Sequence, residues 1–237
     1  MSVLFTRRGA APSLGKLASD YEVGESVFLP VNGVNTEFLV VHQGNPDSNI
    51  YDTSCDGTWL LMKDCYENRM WHSSNVNDYA NSTINAYLNS TFFGLLGISA
   101  QAAVKQVKIP YRPGSGTSKT CNTGANGLSV KAFLLSGAEV GFTSSDASYL
   151  PTNEGAKLSY FESGTGTSAN NKRKANYNGT AYPWWLRSPN CDGSDYAYGV
   201  VSGGAAVDRS CSTSYGVRPA FILDSTTKFD PDTNVIL

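Results

Sequence analysis

The chain has 237 residues, 41% hydrophobic and 11% aromatic, enough to bury a sizeable core within one large mixed domain. A net charge of -2, with 16% charged residues, provides no basic field of the kind that nucleic acid or an anionic membrane requires, so neither is an expected partner. No apolar run approaches bilayer-spanning length, and Val3-Leu4-Phe5 ahead of Arg7-Arg8 is too short and wrongly ordered for a signal peptide.

In chain order, residues 1–20 are rich in Gly, Pro, Ser and basic side chains and read as an N-terminal arm, which leaves 21–237 as the domain. Val27-Phe28-Leu29-Pro30-Val31 and Glu37-Phe38-Leu39-Val40-Val41 flank Asn32-Gly33, a strong hairpin signal. Thr58-Trp59-Leu60-Leu61-Met62 reads as a further strand, entered from a turn at Asp56-Gly57. Ile84, Tyr87, Leu88 and Phe92 recur at helical spacing, with Asn81 or Ser82 available as N-cap, so the first main helix presents one face to the core. A second is expected over 100–105, capped by Ser99, followed by a short strand at 107–109 that Pro110 ends.

Residues 111–127 form a long loop with four glycines. A strand is expected over 130–135, and Ser136 with Glu139 has the S-x-x-E spacing of a reciprocal cap, so a short helix should follow. Another helical turn or two is expected over 153–161. Residues 164–179 then read as polar loop, with Lys172-Arg173-Lys174 as a solvated turn.

Trp184-Trp185-Leu186-Arg187-Ser188-Pro189 and Gly216-Val217-Arg218-Pro219-Ala220-Phe221-Ile222-Leu223 read as buried strands. One Trp is expected on each face, and the arginines should pair with a carboxylate or with carbonyls beneath the loops; a Trp–Arg stacking site for a sugar or base is the alternative. The segment between the two strands is made of Gly, Ser, Asp, Tyr, Cys and Thr, the composition of an adaptable contact surface. Its candidate ligand contacts are Asp192, Ser194, Tyr196, Tyr198, Ser202, Asp208, Arg209, Ser210, Ser212 and Thr213. They alternate with Ala197, Gly199, Val201 and Val207 as one outward side chain in two would require.

Little points to catalysis. His42 and His72 are far apart in sequence, and no Ser or Cys lies in a recognisable nucleophile setting. Asp64 and Glu67 read as surface residues at helix-like spacing, Met62 and Met70 as core fillers, and no phosphate-binding or dinucleotide fingerprint is present. Cys55, Cys65, Cys121, Cys191 and Cys211 are odd in number and lack a C-x-x-C pair, so free thiols are expected; Cys191 and Cys211 could approach in a hairpin. No catalytic residue, metal or cofactor is expected.

The pairing of Trp184-Trp185-Leu186-Arg187-Ser188-Pro189 with Gly216-Val217-Arg218-Pro219-Ala220-Phe221 resembles the C-terminal segment of C-type-lectin-fold proteins related to formylglycine-generating enzyme. Within these it is most similar to gut bacterial and phage proteins and to the variable proteins of diversity-generating retroelements. Leu4-Phe5-Thr6-Arg7-Arg8-Gly9, Gly57-Thr58-Trp59-Leu60-Leu61-Met62-Lys63-Asp64, Trp71-His72-Ser73-Ser74-Asn75 and Lys108-Ile109-Pro110-Tyr111 resemble the same group. The resemblance implies an α+β, C-type-lectin-like fold of antiparallel strands, two main helices and long loops, with a ligand-binding, variable segment at about 190–213. It implies a receptor-recognition protein of phage or prophage derivation, located in a virion or in the bacterial cytoplasm before release. Its expected partner is a protein or cell-surface ligand, with phage virion proteins engaged through the arm; a structural virion domain is the alternative, and an enzyme with a site between the 111–127 loop and the C-terminal strands is the third reading. The Glu-Pro-Asn and Gln-Pro-Asp triplets of sugar-binding lectins are absent, and the enzyme's cysteine pair has no match, so calcium, sugar and that activity do not carry over.

Overall fold

The computed structural model describes residues 15–237, and the structure is a mixed α+β fold, mostly antiparallel. Among these residues the strands are β1 (Lys16–Leu17), β2 (Ser26–Val31), β3 (Val34–Gln43), β4 (Thr58–Met62), β5 (Glu67–Met70), β6 (Val107–Ile109) and β7 (Leu128–Val130). They continue with β8 (Asn176–Tyr177), β9 (Thr180–Ala181), β10 (Trp184–Pro189), β11 (Tyr196–Val200), β12 (Ala206–Ser210), β13 (Ser214–Val217), β14 (Ala220–Leu223) and β15 (Lys228–Phe229). Helices are α1 (Thr83–Tyr87), a π-helical stretch Leu88–Phe92 continuing into α2 (Phe93–Leu95), α3 (Ile98–Ala103) and α4 (Thr167–Arg173). None is long and apolar enough to cross a membrane.

Two sheets carry the structure, one ordered β14-β4-β3-β2 and the other β12-β11-β10-β13-β5. The first begins as the sequence predicts. Asn32 and Gly33 adopt φ of 50° and 77°, so a two-residue turn with both centres left-handed matches the strands' twist and pairs Val31 with Val34. Every residue of β4 is buried, and its alternate side chains serve different cores. Leu60 and Met62 join Phe38, Ile84, Leu88, Leu134 and Trp185, whereas Trp59 and Leu61 join Phe133, Trp184, Leu186 and Tyr198. β10 divides the same way, which puts one tryptophan on each of its faces as expected.

The expected strand over 216–223 is two strands in two sheets. Arg218 and Pro219 make the crossing, because Pro219 has no N–H for a ladder. Arg218 is fully buried there, its Nε donating to Met62 O at 2.8 Å and its guanidinium lying 4.9 Å from the Trp184 ring centroid. Burial pushes it down to about 10.

In the helical region Ser82 Oγ accepts from Asn85 N at 3.2 Å, and Ile84, Tyr87, Leu88 and Phe92 are buried as the spacing predicts. α3 starts ahead of the expected Ser99 cap; Gly97 precedes it with no side-chain bond. Several local expectations are overturned where side chains replace regular structure. The 130–135 strand ends at Val130, since Asn89 Oδ1 takes the N–H groups of Lys131 and Ala132 out of the ladder. Ser136 and Glu139 do bond each other reciprocally, yet only turns follow, and 153–161 holds no helix.

Conversely, α4 occupies the supposed polar loop, and Arg173 is fully buried. It donates to Val140 O, Glu162 O and Gly164 O and lies over Phe142. Met70 is 46% exposed on edge strand β5, not a core filler, and Glu67 lies on the same strand, paired with Arg69. Of the arm expected over 1–20, residues 1–14, with Leu4 to Gly9, lie outside the described residues, and the part that is described belongs to the fold, since β1 pairs with β15 and Ala18 is buried.

Candidate functional site

The site is built on β10. Its register with β11 shifts between Trp185 and Pro189, and this irregularity turns Arg187 and Ser188 into a buried polar cluster. Arg187 donates Nη1 to Glu139 Oε2 at 2.6 Å and Nη2 to Glu139 Oε1 at 2.7 Å, with its remaining donors on Pro110 O, Leu134 O and Glu154 O. Tyr51 OH and Ser136 N also donate to Glu139, so this buried pair is bidentate and fully hydrogen-bonded. Burial raises the Tyr51 hydroxyl, and Glu139 raises it further. The expectation that Arg187 serves the scaffold, paired to a carboxylate, describes this arrangement.

Near the cluster, the 111–127 and 190–194 loops converge on Asn77, which is fully buried. Its Nδ2 donates to Asn190 O and Gly193 O, each at 3.0 Å, and its backbone N donates to Ser194 O at 2.8 Å. Its Oδ1 accepts from Gly116 N and from Arg112 Nη2. Arg112, also fully buried, places its other amino group on Pro113 O and Gly114 O, so the 111–127 loop is pinned to the start of the candidate segment.

That segment forms a hairpin, with Tyr196 opposite Ser210, Tyr198 opposite Asp208 and Gly199 opposite Val207. Because ladder partners share a face, Tyr196, Tyr198, Asp208 and Ser210 point one way and Arg209, partner of Ala197, points the other, so the five candidates on the ladder are divided between two faces. Asp192, Ser194, Tyr196, Ser202, Arg209 and Ser212 are exposed, and Asp208, Ser210 and Thr213 are half-buried.

Tyr198 departs from the expectation of outward contact. It is 5% exposed, and its hydroxyl accepts from Tyr149 N at 3.1 Å because the 146–149 turn covers that part of the sheet; burial pushes it up to about 12. Ser210 and Ser212 are held locally by Asn75 Oδ1, which accepts Ser210 Oγ and Ser212 N.

Two adjoining hollows open between this hairpin and the 190–195 loop. One, of ≈ 250 Å³, is lined by Asn190, Asp192, Gly193, Asp195, Tyr196 and Asp208. The other, of ≈ 240 Å³, shares Asn190, Asp192 and Asp208 and is closed by Tyr198 and the 146–149 turn. Asn190 orders their floor: its Nδ2 donates to Asp208 Oδ2 at 2.7 Å and its Oδ1 accepts Asp192 N at 2.8 Å.

Asn190, Asp195, Asn77, Arg112 and Glu154 were absent from the sequence-based candidates. For Asn190 and Asp195, the polar composition around Asp192 was an available signal. Nothing local marks Asn77, whose partners lie across the chain. All five cysteines are free, and burial raises Cys191 and Cys211, the latter to about 12. Among the described residues, no group of three or more His, Cys, Asp and Glu side chains is placed to hold a metal ion.

Residues 56–225 match the family described as a domain of unknown function, DUF6273. The chain belongs to that family. The DUF6273 region runs from the turn before β4 to the end of β14, so it includes β10, the hairpin and both hollows, while β2 and β3 complete the first sheet from outside it. No curated protein and no solved structure matches this DUF6273 member.

Proposed function

We propose that this DUF6273 protein is a ligand-recognition module of phage or prophage derivation, in which a C-type-lectin-like scaffold presents a diversifiable hairpin to a protein or cell-surface ligand. The observation that carries this reading is the abrupt change across one sheet. β10 is buried along its whole length, whereas two strands away β12 and the loops beside it expose Asp, Ser, Arg and Tyr around shallow hollows. A rigid base beneath adaptable polar side chains and an exposed tyrosine is the composition of a binding surface. Tyr196 and Arg209 are the residue types that most often dominate binding energy. Tyr198 supports the surface from beneath, and the ligand-contact set is Asp192, Ser194, Tyr196, Ser202 and Asp208, with Arg209 offered on the opposite face of the hairpin to a ligand that reaches round its edge.

The test has two parts. The gene's neighbourhood is sequenced for a second copy of the 190–213 coding segment that differs at adenines. Capture of a host-surface ligand is then compared between wild type and a variant with Tyr196 and Arg209 replaced by Ala. A repeat together with loss of capture supports the reading. No repeat, with equal capture by both proteins, would overturn it in favour of a structural virion domain.

A further inference from the structure

Glu139 and Glu154 are both fully buried and lie against one guanidinium. Arg187 spends two donors on the Glu139 carboxylate and reaches Glu154 only at its main-chain oxygen. The Glu154 carboxyl accepts Ser188 Oγ through Oε2, and its Oε1 has no hydrogen-bond partner among the described residues. Arg112 faces it from the long loop but directs its amino groups to Asn77, Pro113 and Gly114. The thiols of Cys121 and Cys191 and the phenol of Tyr79 also lie within its field.

Glu139 takes both amino groups of Arg187, and a second buried carboxyl beside it that has no hydrogen-bonded cation of its own does not ionise readily. Burial pushes Glu154 up to about 7, with Arg187 and the Ser188 bond acting against it and the Glu139 charge adding to it. The segment that carries Glu154 also clasps the candidate site. Tyr149 O accepts Cys191 N at 2.9 Å, Tyr149 N donates to the Tyr198 hydroxyl, and Thr152 N donates to Lys119 O at 2.8 Å.

We propose that Glu154 is a protonation switch for the hairpin surface: neutral, it keeps the 149–154 segment docked on residues 188–198, and ionised, it is driven toward water and loosens that clasp. The proposal deepens the binding reading by adding regulation to the same site. Its readouts need no ligand, so its failure and the failure of that reading are separable.

The sign follows from linkage. A carboxyl raised in the folded protein gives its full stabilisation below the unfolded value of 4.5, loses it progressively as pH rises to about 7, and is flat above. Across that window the opening equilibrium of the clasp should rise by up to about tenfold per pH unit.

The carboxyl carbon of Glu154 is titrated by NMR in the wild-type protein. Hydrogen exchange at Cys191 and Thr152, corrected for its intrinsic pH dependence, is then followed from pH 5 to 8 in wild type and Glu154→Gln. The switch predicts a midpoint near 7, protection that falls with rising pH in wild type, and protection independent of pH in Glu154→Gln. A midpoint near 4.5 overturns it, as does a midpoint near 7 with unchanged protection at both amides. Should Glu154→Gln not fold, the two wild-type measurements decide alone.

Discussion

β10 and β12 belong to one sheet, separated by a single strand, and they obey opposite rules. In β10 every side chain is buried and every polar atom of Arg187 is engaged, so a substitution meets packed atoms or an unpaired charge. In β12 only Arg209 is exposed and the other four side chains are half-buried, so a substitution there meets packed atoms on one side at most. The two differ in pairing as well as in cover: β10 lies between β11 and β13 with both faces buried, whereas β12 is an edge strand paired to β11 alone.

The comparison would break first at β10. Trp185→Ala should cost about 3–5 kcal/mol as a large-to-small change in a closed core, read as a lower denaturation midpoint in urea. Arg187→Ala should cost a similar ~3–5 kcal/mol, because Glu139 would remain buried without its cation. An unchanged midpoint in either variant would show that β10 is not the rigid base. Asn77→Ala comes next, at about 1–3 kcal/mol for the buried carbonyls left without a donor. It should also raise exchange at the amides of residues 192–195, which Trp185→Ala should not do selectively.

A finer test is Tyr198→Phe. Losing the hydroxyl that accepts Tyr149 N should cost about 1 kcal/mol and leave the exposed contacts in place. A loss of ligand capture larger than that stability change would return Tyr198 to the contact surface. The smallest effects belong to the exposed side chains of the candidate segment. Single changes to Ala at Ser194, Ser202, Arg209 or Ser212 should each move stability by no more than about 0.5 kcal/mol by thermal melt.

The legible parts of the fold were those where a short stretch settles its own structure. Asn32-Gly33 sets a hairpin by φ alone, Ser82 caps α1, and the apolar content of 58–62 and 184–189 demands burial. The elements misread depend on distant partners. α4 has little apolar character, and it is Arg173, reaching Val140 O and Glu162 O, that ties it to the core. Glu154 sits in an unremarkable polar run, and its burial depends on Ser188 and Arg187, more than thirty residues away. In the candidate segment 190–213, the exposed polar character was legible from composition. The segment's division into two faces required the ladder register, and the burial of Tyr198 required the 146–149 turn to be seen covering it.

Asn77 carries a consequence for how freely that segment can change. Its bonds into the 190–194 loop end on the main-chain oxygens of Asn190, Gly193 and Ser194, and none ends on a side chain there. Such an anchor is blind to amino-acid identity. Apart from Asn190, whose side chain bonds Asp192 N and Asp208, the residues on the loop can be exchanged while the peptide groups that fix its path stay where they are, so a new side chain inherits a ready-made trajectory instead of having to create one. Chains that differ in this loop but keep Asn190 would therefore share one backbone and carry many chemistries.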